Sequence, residues 1–169
     1  MSNYYTQFSE ALVLKGAKQV KWVRTQLNSE MLDRLRMHAS QHPIPTDKIT
    51  IPKWAKDFAL AEHILNGQDA YFDWEIEKSD SPGKFNLVLY SEENCDLDAV
   101  AVFVQAFLKN FAPDHCFTLS WAATTDKLAV GEFGGGGIFI TADKVEYVNT
   151  HLWLERKART AGPQANVKV

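Results

Sequence analysis

The chain has 169 residues with a formal net charge of −3, and 46% of its residues are hydrophobic and 23% are charged. This length fits one domain that buries a substantial core without metal or disulfide cross-links. The mild charge excludes a DNA mimic and a strongly basic nucleic-acid-binding domain. No window approaches the ~18 apolar residues of a membrane helix, and the start has no secretory pattern. The sequence therefore predicts a cytoplasmic protein without a membrane partner.

The first part of the chain predicts a strand followed by helices. Residues 4–14 are aromatic and aliphatic, as is typical of a strand. Residues 18–40 repeat apolar side chains every three or four positions, which predicts a helix with a break where Ser29 would cap its second half. Two prolines interrupt this pattern. Residues 51–67 predict one further helix within a helical elaboration that spans residues 41–69.

The second part of the chain alternates strand and helix patterns. Residues 72–77 and 85–89 alternate apolar and polar side chains around turn residues, which predicts a hairpin with its acidic side chains in water. Residues 96–112 have the clearest helical pattern, with Asp96 as the N-cap. The remaining predicted elements are strands at 116–122, 138–141 and 145–148, a helix from 151 to about 157 capped by Thr150, and a flexible tail at 159–169.

The order of these elements predicts the fold. The core reads β-α-β-β-α-β, which is the ferredoxin-like or split βαβ arrangement of an antiparallel sheet with two helices on one face. The helices at 18–40 and 96–112 would cover that face, and a hairpin and a helix would extend the sheet at the C-terminal end. We expect a single α+β domain over residues 1–158. The other face of the sheet would be solvated, covered by the elaboration or used for a partner.

Cysteine and histidine residues give weak signals. Cys95 and Cys116 form no metal-binding or redox motif, so free buried thiols are expected. His38 and His42 have the i, i+4 spacing of two zinc ligands on one helical face, although the following proline weakens this candidate. His63 is interpreted as a surface or boundary residue. No nucleophile, base and orienting group can be assembled, and no cofactor is predicted.

The most unusual feature of the sequence is a run of four glycines. Gly134, Gly135, Gly136 and Gly137 follow Phe133 and precede an apolar stretch. Glycine allows positive φ and close approach of another group. A phosphate-binding loop would need a following helix and often a lysine, so a turn, a bulge or a close strand crossing is favoured. The nearby carboxylates Asp126 and Glu132 leave an acid–base pair or a metal site as an alternative.

Aromatic and basic residues coincide only in the C-terminal third of the chain. Tryptophan and tyrosine are favoured at protein contacts and also stack on bases. A packed strand cluster beside a solvated tail is the structural alternative. The candidate binding residues are Trp121, Asp126, Lys127, Glu132, Phe133, Gly134, Gly135, Gly136, Gly137, Tyr147, Asn149 and Trp153.

Several segments resemble a family of small proteins from phages, plasmids and bacterial genomes. The segments are Asn3–Ser9 (NYYTQFS), Ser120-Trp121-Ala122, Phe133–Gly136, and Asn149-Thr150 ahead of Trp153-Leu154. The resemblance implies a mobile-element origin and a compact α+β fold, and the family has no established activity. Similar sequences often carry Cys-Ser and Pro-Arg where this chain has Thr125–Leu128, so a role that depends on that cysteine or arginine does not transfer.

The sequence thus favours a binding protein over an enzyme. The preferred hypothesis is a mobile-element accessory protein that binds a host or phage macromolecule, as an inhibitor or adaptor of a host defence or replication complex. A nucleotide-binding enzyme or sensor is one alternative, and an RNA- or single-stranded-DNA-binding protein with an open sheet face is another. A protein partner is expected, and self-association is left open because open sheets expose their edges.

Overall fold

A computed structural model describes residues 3–41, 50–126 and 133–161. Regular elements account for most of these residues. In chain order they are β1 (Tyr4–Leu14), α1 (Ala17–Gln26), α2 (Ser29–Gln41), a 3-10 turn (Lys53–Ala55), α3 (Ala61–Leu65), β2 (Asp73–Lys78), β3 (Phe85–Ser91), α4 (Leu97–Phe111), β4 (Cys116–Thr125), β5 (Gly134–Thr141), β6 (Val145–Asn149) and α5 (Thr150–Ala161).

The strands form one antiparallel sheet in the order β2-β3-β1-β4-β5-β6. Strand β1 lies between β3 and β4, so the first four strands have the neighbour relations of a split βαβ unit. The hairpin of β5 and β6 extends the sheet beyond β4. The predicted α+β, ferredoxin-like class and its C-terminal extension are therefore confirmed.

One face of the sheet carries the hydrophobic core. Leu12 of β1 pairs with Leu87 of β3, and residues opposite each other in a ladder share a face. Both leucines are buried, as are Val23 of α1 and Phe103 of α4. The Trp22 ring of α1 lies 5.6 Å from the Phe103 ring, so α1 and α4 pack against each other above this face.

The opposite face of the sheet is polar at the β2 edge. Asp73, Glu75 and Glu77 are exposed and alternate with half-buried apolar residues, as the hairpin pattern predicted. Glu75 pairs with Val88 of β3, which in turn pairs with Ala11 of β1. This face therefore carries negative charge along one of its edges.

The single helix predicted over residues 51–67 is wrong. The segment contains only a 3-10 turn and the short helix α3. The side chain of Gln26 donates a hydrogen bond to the carbonyl of Asp57 (3.0 Å) and accepts one from the amide of Ala59 (2.7 Å). These backbone groups are used by a side chain of α1, so they do not continue a helical ladder between the two pieces.

Two predicted helix caps are also wrong, and one is confirmed. The side chain of Asn28, not that of Ser29, accepts from the amide of Met31 at the start of α2 (3.0 Å). The side chain of Asn149, not that of Thr150, accepts from the amide of Leu152 at the start of α5 (3.2 Å). Asp96 caps α4 as predicted.

The C-terminal boundaries differ from the prediction. Helix α5 continues to Ala161, so the first residues of the predicted tail at 159–169 are helical. Strands β4 and β5 are longer than predicted because the glycine run is part of β5.

Among the residues that the structure describes, no helix has the length and apolar character to cross a membrane.

Candidate functional site

A cleft lies where the N-terminus of α4 meets the edge of the sheet that carries β6. Its volume is about 730 Å³. Three acidic side chains, three aromatic rings and several small polar groups form its walls. The lining residues are Thr6, Gln68, Asp69, Tyr71, Asn94, Cys95, Asp96, Leu97, Asp98, Trp121, Tyr147, Val148 and Asn149.

Asp96 anchors one end of this cleft. One carboxylate oxygen accepts hydrogen bonds from the amides of Asp98 (2.9 Å) and Ala99 (3.1 Å), which satisfies two free amides at the start of α4. The other oxygen lies 2.8 Å from Nε2 of His63. Asp96 therefore ties α4 to the short helix α3.

His63 is buried, with 6% of its surface exposed, so its predicted place at the surface is wrong. Its Nε2 atom lies 2.8 Å from both the carbonyl oxygen of Asp69 and the carboxylate of Asp96. Both oxygens are acceptors, so Nε2 carries a hydrogen and donates it. The histidine thus holds the loop that carries Asp69 against the start of α4.

Tyr147 and Trp121 form the wall of the cleft on the sheet side. The Tyr147 side chain lies close to the carboxylates of Asp98 and Asp96 at the start of α4. Partial burial and then the interaction with Asp98 raise the pKa of Tyr147 well above its usual range. Tyr147 thus brings β6 next to the start of α4.

The glycine run explains how Trp121 fits at this place. Gly136 pairs with Trp121 across the β4–β5 ladder. A Cβ atom at Gly136 would lie 3.0 Å from two indole carbons of Trp121 and would overlap the carbonyl oxygen of Val148. The indole packs directly on the backbone of β5, and a side chain at Gly136 would displace it.

Gly134 and Gly135 have the same role. A Cβ atom at Gly134 would lie 2.7 Å from Nε2 of His151, and one at Gly135 would overlap the carbonyl oxygen of Trp121. The hydroxyl of Thr150 donates to the carbonyl of Gly135 (2.8 Å). The run therefore lets β4 and the start of α5 approach β5 closely. Close approach is one of the predicted roles, whereas the predicted turn or bulge is wrong.

This geometry removes the basis for a phosphate-binding loop. Gly134 to Gly137 are paired with β4, and Gly136 and Gly137 are also paired with β6. A phosphate cradle needs several free amides that point at one ligand, usually in front of a helix. The glycines instead lie within a strand and are followed by more of the same strand.

The cleft is strongly acidic. Asp69, Asp96 and Asp98 line it, and none of its described lining residues is a lysine or an arginine. An adjoining depression of about 340 Å³ shares Tyr71 and Asn94 with the cleft. It adds the acidic residues Asp73, Glu92 and Glu93 to the same surface. Acidic and aromatic side chains are therefore continuous from the cleft to the β2 edge.

The two cysteines differ from each other. Cys95 is half-buried at the cleft and contacts the carbonyl of Thr6 at 4.0 Å. Burial raises the pKa of the Cys95 thiol to about 11. Cys116 is exposed, so its predicted core position is wrong. In β4 the alternation places Phe117 and Leu119 in the core, which turns Cys116 outward.

We expect the two thiols to react at very different rates. With a pKa of about 11, roughly one Cys95 side chain in a thousand is a thiolate at pH 8. Iodoacetamide at pH 8 should therefore modify Cys116 first, and raising the pH towards 10 should accelerate modification of Cys95 by about a hundredfold. Mass spectrometry of digested protein gives both rates, with Cys116→Ser as the control. Equal rates at pH 8 would contradict the burial of Cys95.

The structure brings some of the predicted binding residues together. Trp121, Tyr147 and Asn149 line the cleft, with the glycine run beneath Trp121. Asp126 lies elsewhere, where its carboxylate accepts from the amide of Asn3 (3.0 Å).

Other predicted residues stand apart from the cleft or outside the described residues. Phe133, immediately before β5, is 48% exposed. Trp153 is exposed on α5, where the Lys157 ammonium lies 5.7 Å from its ring centroid. Lys127 and Glu132 lie outside the residues that the structure describes.

The metal candidate has no structural support among the residues described. His38 is half-buried on α2, and its ring lies 6.0 Å from that of Trp54 in an edge-on arrangement. His42 lies outside the described residues. Within residues 3–41, 50–126 and 133–161, no group of three or more histidine, cysteine, aspartate or glutamate side chains could hold a metal ion.

Sequence reasoning missed the residues that give the cleft its charge. Asp96 was predicted only as the N-cap of α4, and Asp69 and Asp98 were not predicted as site residues. One signal was present for His63, which lies between the apolar residues Ala61 and Ile64 on a short helical pattern. No local signal links residue 63 to residue 96, because their contact depends on the tertiary fold.

Comparisons with known proteins identify no relative for this arrangement. No protein-family model, curated protein or solved structure matches the chain.

Proposed function

We propose that this chain is a protein-binding module whose acidic, aromatic cleft takes a basic segment of a protein partner. The observation that carries the proposal is the composition of the cleft wall. Three carboxylates and three aromatic rings face a volume of about 730 Å³, with no lysine or arginine among the described lining residues. Lysine or arginine side chains would meet both opposite charge and aromatic faces there.

The exposure of two of the three cleft carboxylates supports binding of a basic segment. Asp69 and Asp98 are exposed at the cleft, whereas Asp96 already caps α4 and contacts His63. Negative charge that is not neutralised by the protein favours association with a cationic segment and speeds the encounter. The hydrogen bonds of Asp96 to the start of α4 and to His63 of α3 also fix this part of the cleft before binding, which lowers the ordering cost.

The aromatic residues of the cleft favour a protein segment as its ligand. Tyr71, Trp121 and Tyr147 are residue types that dominate the energetics of protein contacts. The resemblance to phage and plasmid proteins supports a host or phage protein as the partner. An inhibitor or adaptor role in a host complex remains part of the proposal.

The two alternative functions are less well supported. A nucleotide-binding role depended on the glycines as a phosphate loop, but their backbone lies in the β4–β5 ladder. An RNA- or DNA-binding role depended on the open sheet face. That face carries Asp73, Glu75 and Glu77 along β2, which would repel a phosphate backbone.

A labelled peptide tests the proposed function. We expect a nine-residue peptide of alternating arginine, lysine and tyrosine to bind the full chain with an affinity that falls as salt rises. The same peptide with glutamate in place of its basic residues should not bind. Asp69→Lys should weaken binding by about tenfold or more, because it reverses an exposed charge at the cleft. Fluorescence anisotropy measures each affinity.

A matched charge reversal outside the cleft distinguishes binding at the cleft from a general effect of the net charge. Glu77→Lys makes the same change on an exposed side chain of β2 outside the cleft. It should alter the affinity by less than about twofold. Equal weakening by Asp69→Lys and Glu77→Lys, or binding that does not depend on salt, would contradict a specific basic-segment site.

A further inference from the structure

A second depression lies between α1, the start of α2 and the start of β3. It has a volume of about 490 Å³ and shares no lining residue with the acidic cleft. Its walls are mainly apolar. The lining residues are Ala17, Val20, Lys21, Arg24, Thr25, Asn28, Met31, Phe58 and Phe85. We call this depression the α1 groove.

The floor of the α1 groove consists of half-buried apolar side chains from four segments of the chain. Val20 comes from α1, Met31 from α2, Phe58 from the loop before α3 and Phe85 from β3. Val20, Phe58 and Phe85 also pack against the hydrophobic core. An apolar ligand in this groove would lose contact with water and would extend the core outward.

Hydrogen bonds hold the walls of the α1 groove in place. The Gln26 side chain bonds to the carbonyl of Asp57 and the amide of Ala59, on either side of Phe58. The Asn28 side chain accepts from the amide of Met31. The backbone on both sides of Phe58 is therefore fixed to α1, and the amide of Met31 is fixed to the turn that follows α1. The groove thus exists before any ligand binds.

The rim of the α1 groove is positively charged. Lys21 and Arg24 are exposed one helical turn apart on α1. Helix α1 contains no acidic residue. Among the residues that the structure describes, no carboxylate lies within ion-pair distance of Lys21 or Arg24. These two cations can therefore pair with an anion from a ligand.

We propose that the α1 groove binds a small amphipathic carboxylate, with its aliphatic chain on the apolar floor and its carboxylate between Lys21 and Arg24. The groove volume falls within the range of roughly 300–1,000 Å³ that is usual for small-molecule sites. Among the lining residues that the structure describes, Thr25 and Asn28 are the only uncharged polar side chains. A nucleotide or a sugar would leave most of its polar groups without partners there.

Three related small molecules test the proposal on the full chain. Dodecanoate, used well below its micelle-forming concentration, should bind at one saturable site by calorimetry and raise the melting temperature. Butyrate, which has the carboxylate without the long chain, should bind about a hundredfold more weakly or not at all. Dodecyltrimethylammonium has the chain with the opposite charge and should not bind, because Lys21 and Arg24 repel it.

Paired variants locate the site. The double variant Lys21→Glu/Arg24→Glu should weaken dodecanoate binding by about tenfold or more. Arg159→Glu makes one such charge reversal on the exposed surface of α5 and should change binding by less than about twofold. Met31→Gln keeps the length of the side chain but makes the floor polar, and should also weaken binding by about fivefold or more. Circular dichroism confirms that each variant is folded.

The outcomes that overturn the proposal are distinct. Equal binding of dodecanoate and dodecyltrimethylammonium would show a detergent effect without a charge-selective site. Equal weakening by Arg159→Glu and the double variant would show a general charge effect. Binding of an acidic amphipathic peptide without binding of dodecanoate would show that the groove takes a protein segment. Dodecanoate binding at the α1 groove is independent of the acidic cleft, so Asp69→Lys should leave it unchanged.

Discussion

Replacement of Gly136 by alanine is expected to lower the free energy of unfolding by about 3 kcal/mol. A Cβ atom at this position would overlap the carbonyl oxygen of Val148 and would lie 3.0 Å from the indole of Trp121. The carbonyl belongs to the neighbouring strand and cannot rotate away, so β6 or β5 must shift. Thermal unfolding should show a decrease in melting temperature of about 6–12 °C for a chain of this size.

Gly137→Ala is the matched control for this prediction. It makes the same chemical change in the next residue of β5, where the nearest heavy atom to an added Cβ is the carbonyl oxygen of Leu119 at 3.5 Å. That distance is an ordinary van der Waals contact. We therefore expect a change in the free energy of unfolding within about 0.5 kcal/mol. Similar losses for Gly136→Ala and Gly137→Ala would show that the glycines act through backbone flexibility and not through close approach.

A third variant separates the two contacts at Gly136. Trp121→Ala removes the indole but leaves the carbonyl of Val148 in place. If the overlap with Val148 dominates, Gly136→Ala should still be strongly destabilising in the Trp121→Ala background. The double-mutant cycle measures the contribution of the indole directly.

Hydrophobic periodicity was sufficient to predict most of the fold. The alternation in β2 and β3 and the apolar stripe of α4 report which face of each element packs on the core, and that information is local. The order of the elements then restricted the topology to a split βαβ sheet. The strand order β2-β3-β1-β4 agrees with that expectation.

The elements that sequence reasoning failed to predict depend on contacts between distant parts of the chain. Residues 51–67 have a helical pattern, but Gln26 of α1 hydrogen-bonds the backbone on both sides of Phe58. No pattern in the sequence around Phe58 indicates a contact with Gln26. The local helical pattern therefore gave a wrong prediction for this segment, where side-chain hydrogen bonds from α1 use the backbone groups around Phe58.

The candidate site was predictable only in part for the same reason. The four glycines indicated a special backbone position. Trp121 and Tyr147 were predicted because aromatic and basic residues coincide in the C-terminal third of the chain, and Asn149 belongs to a segment that carries the family resemblance. Their common location in one cleft follows from the β4–β5 and β5–β6 pairing. The acidic wall comes from the loop before β2 and the start of α4. No pattern within either segment predicts that they meet.

Replacement of Asp96 by alanine is expected to have the second-largest effect, a loss of about 2–3 kcal/mol in the free energy of unfolding. The change removes the N-cap of α4 and one acceptor of the buried His63 side chain. Asp96→Ser is the informative comparison, because a serine hydroxyl can cap the helix but is too short to reach His63 as well. It should recover about 1 kcal/mol of the loss, measured by urea denaturation.

The same pair of variants connects the stability of the cleft with its function. If His63 holds the Asp69 loop in place through Asp96, both variants should weaken basic-peptide binding, although Asp96→Ser restores the helix cap. If binding instead depends only on the exposed carboxylates of Asp69 and Asp98, Asp96→Ser should bind as tightly as the unaltered chain. Full binding by Asp96→Ser would therefore contradict the role of the His63–Asp96 contact in shaping the cleft, while leaving Asp69 and Asp98 as the charged groups that meet the partner.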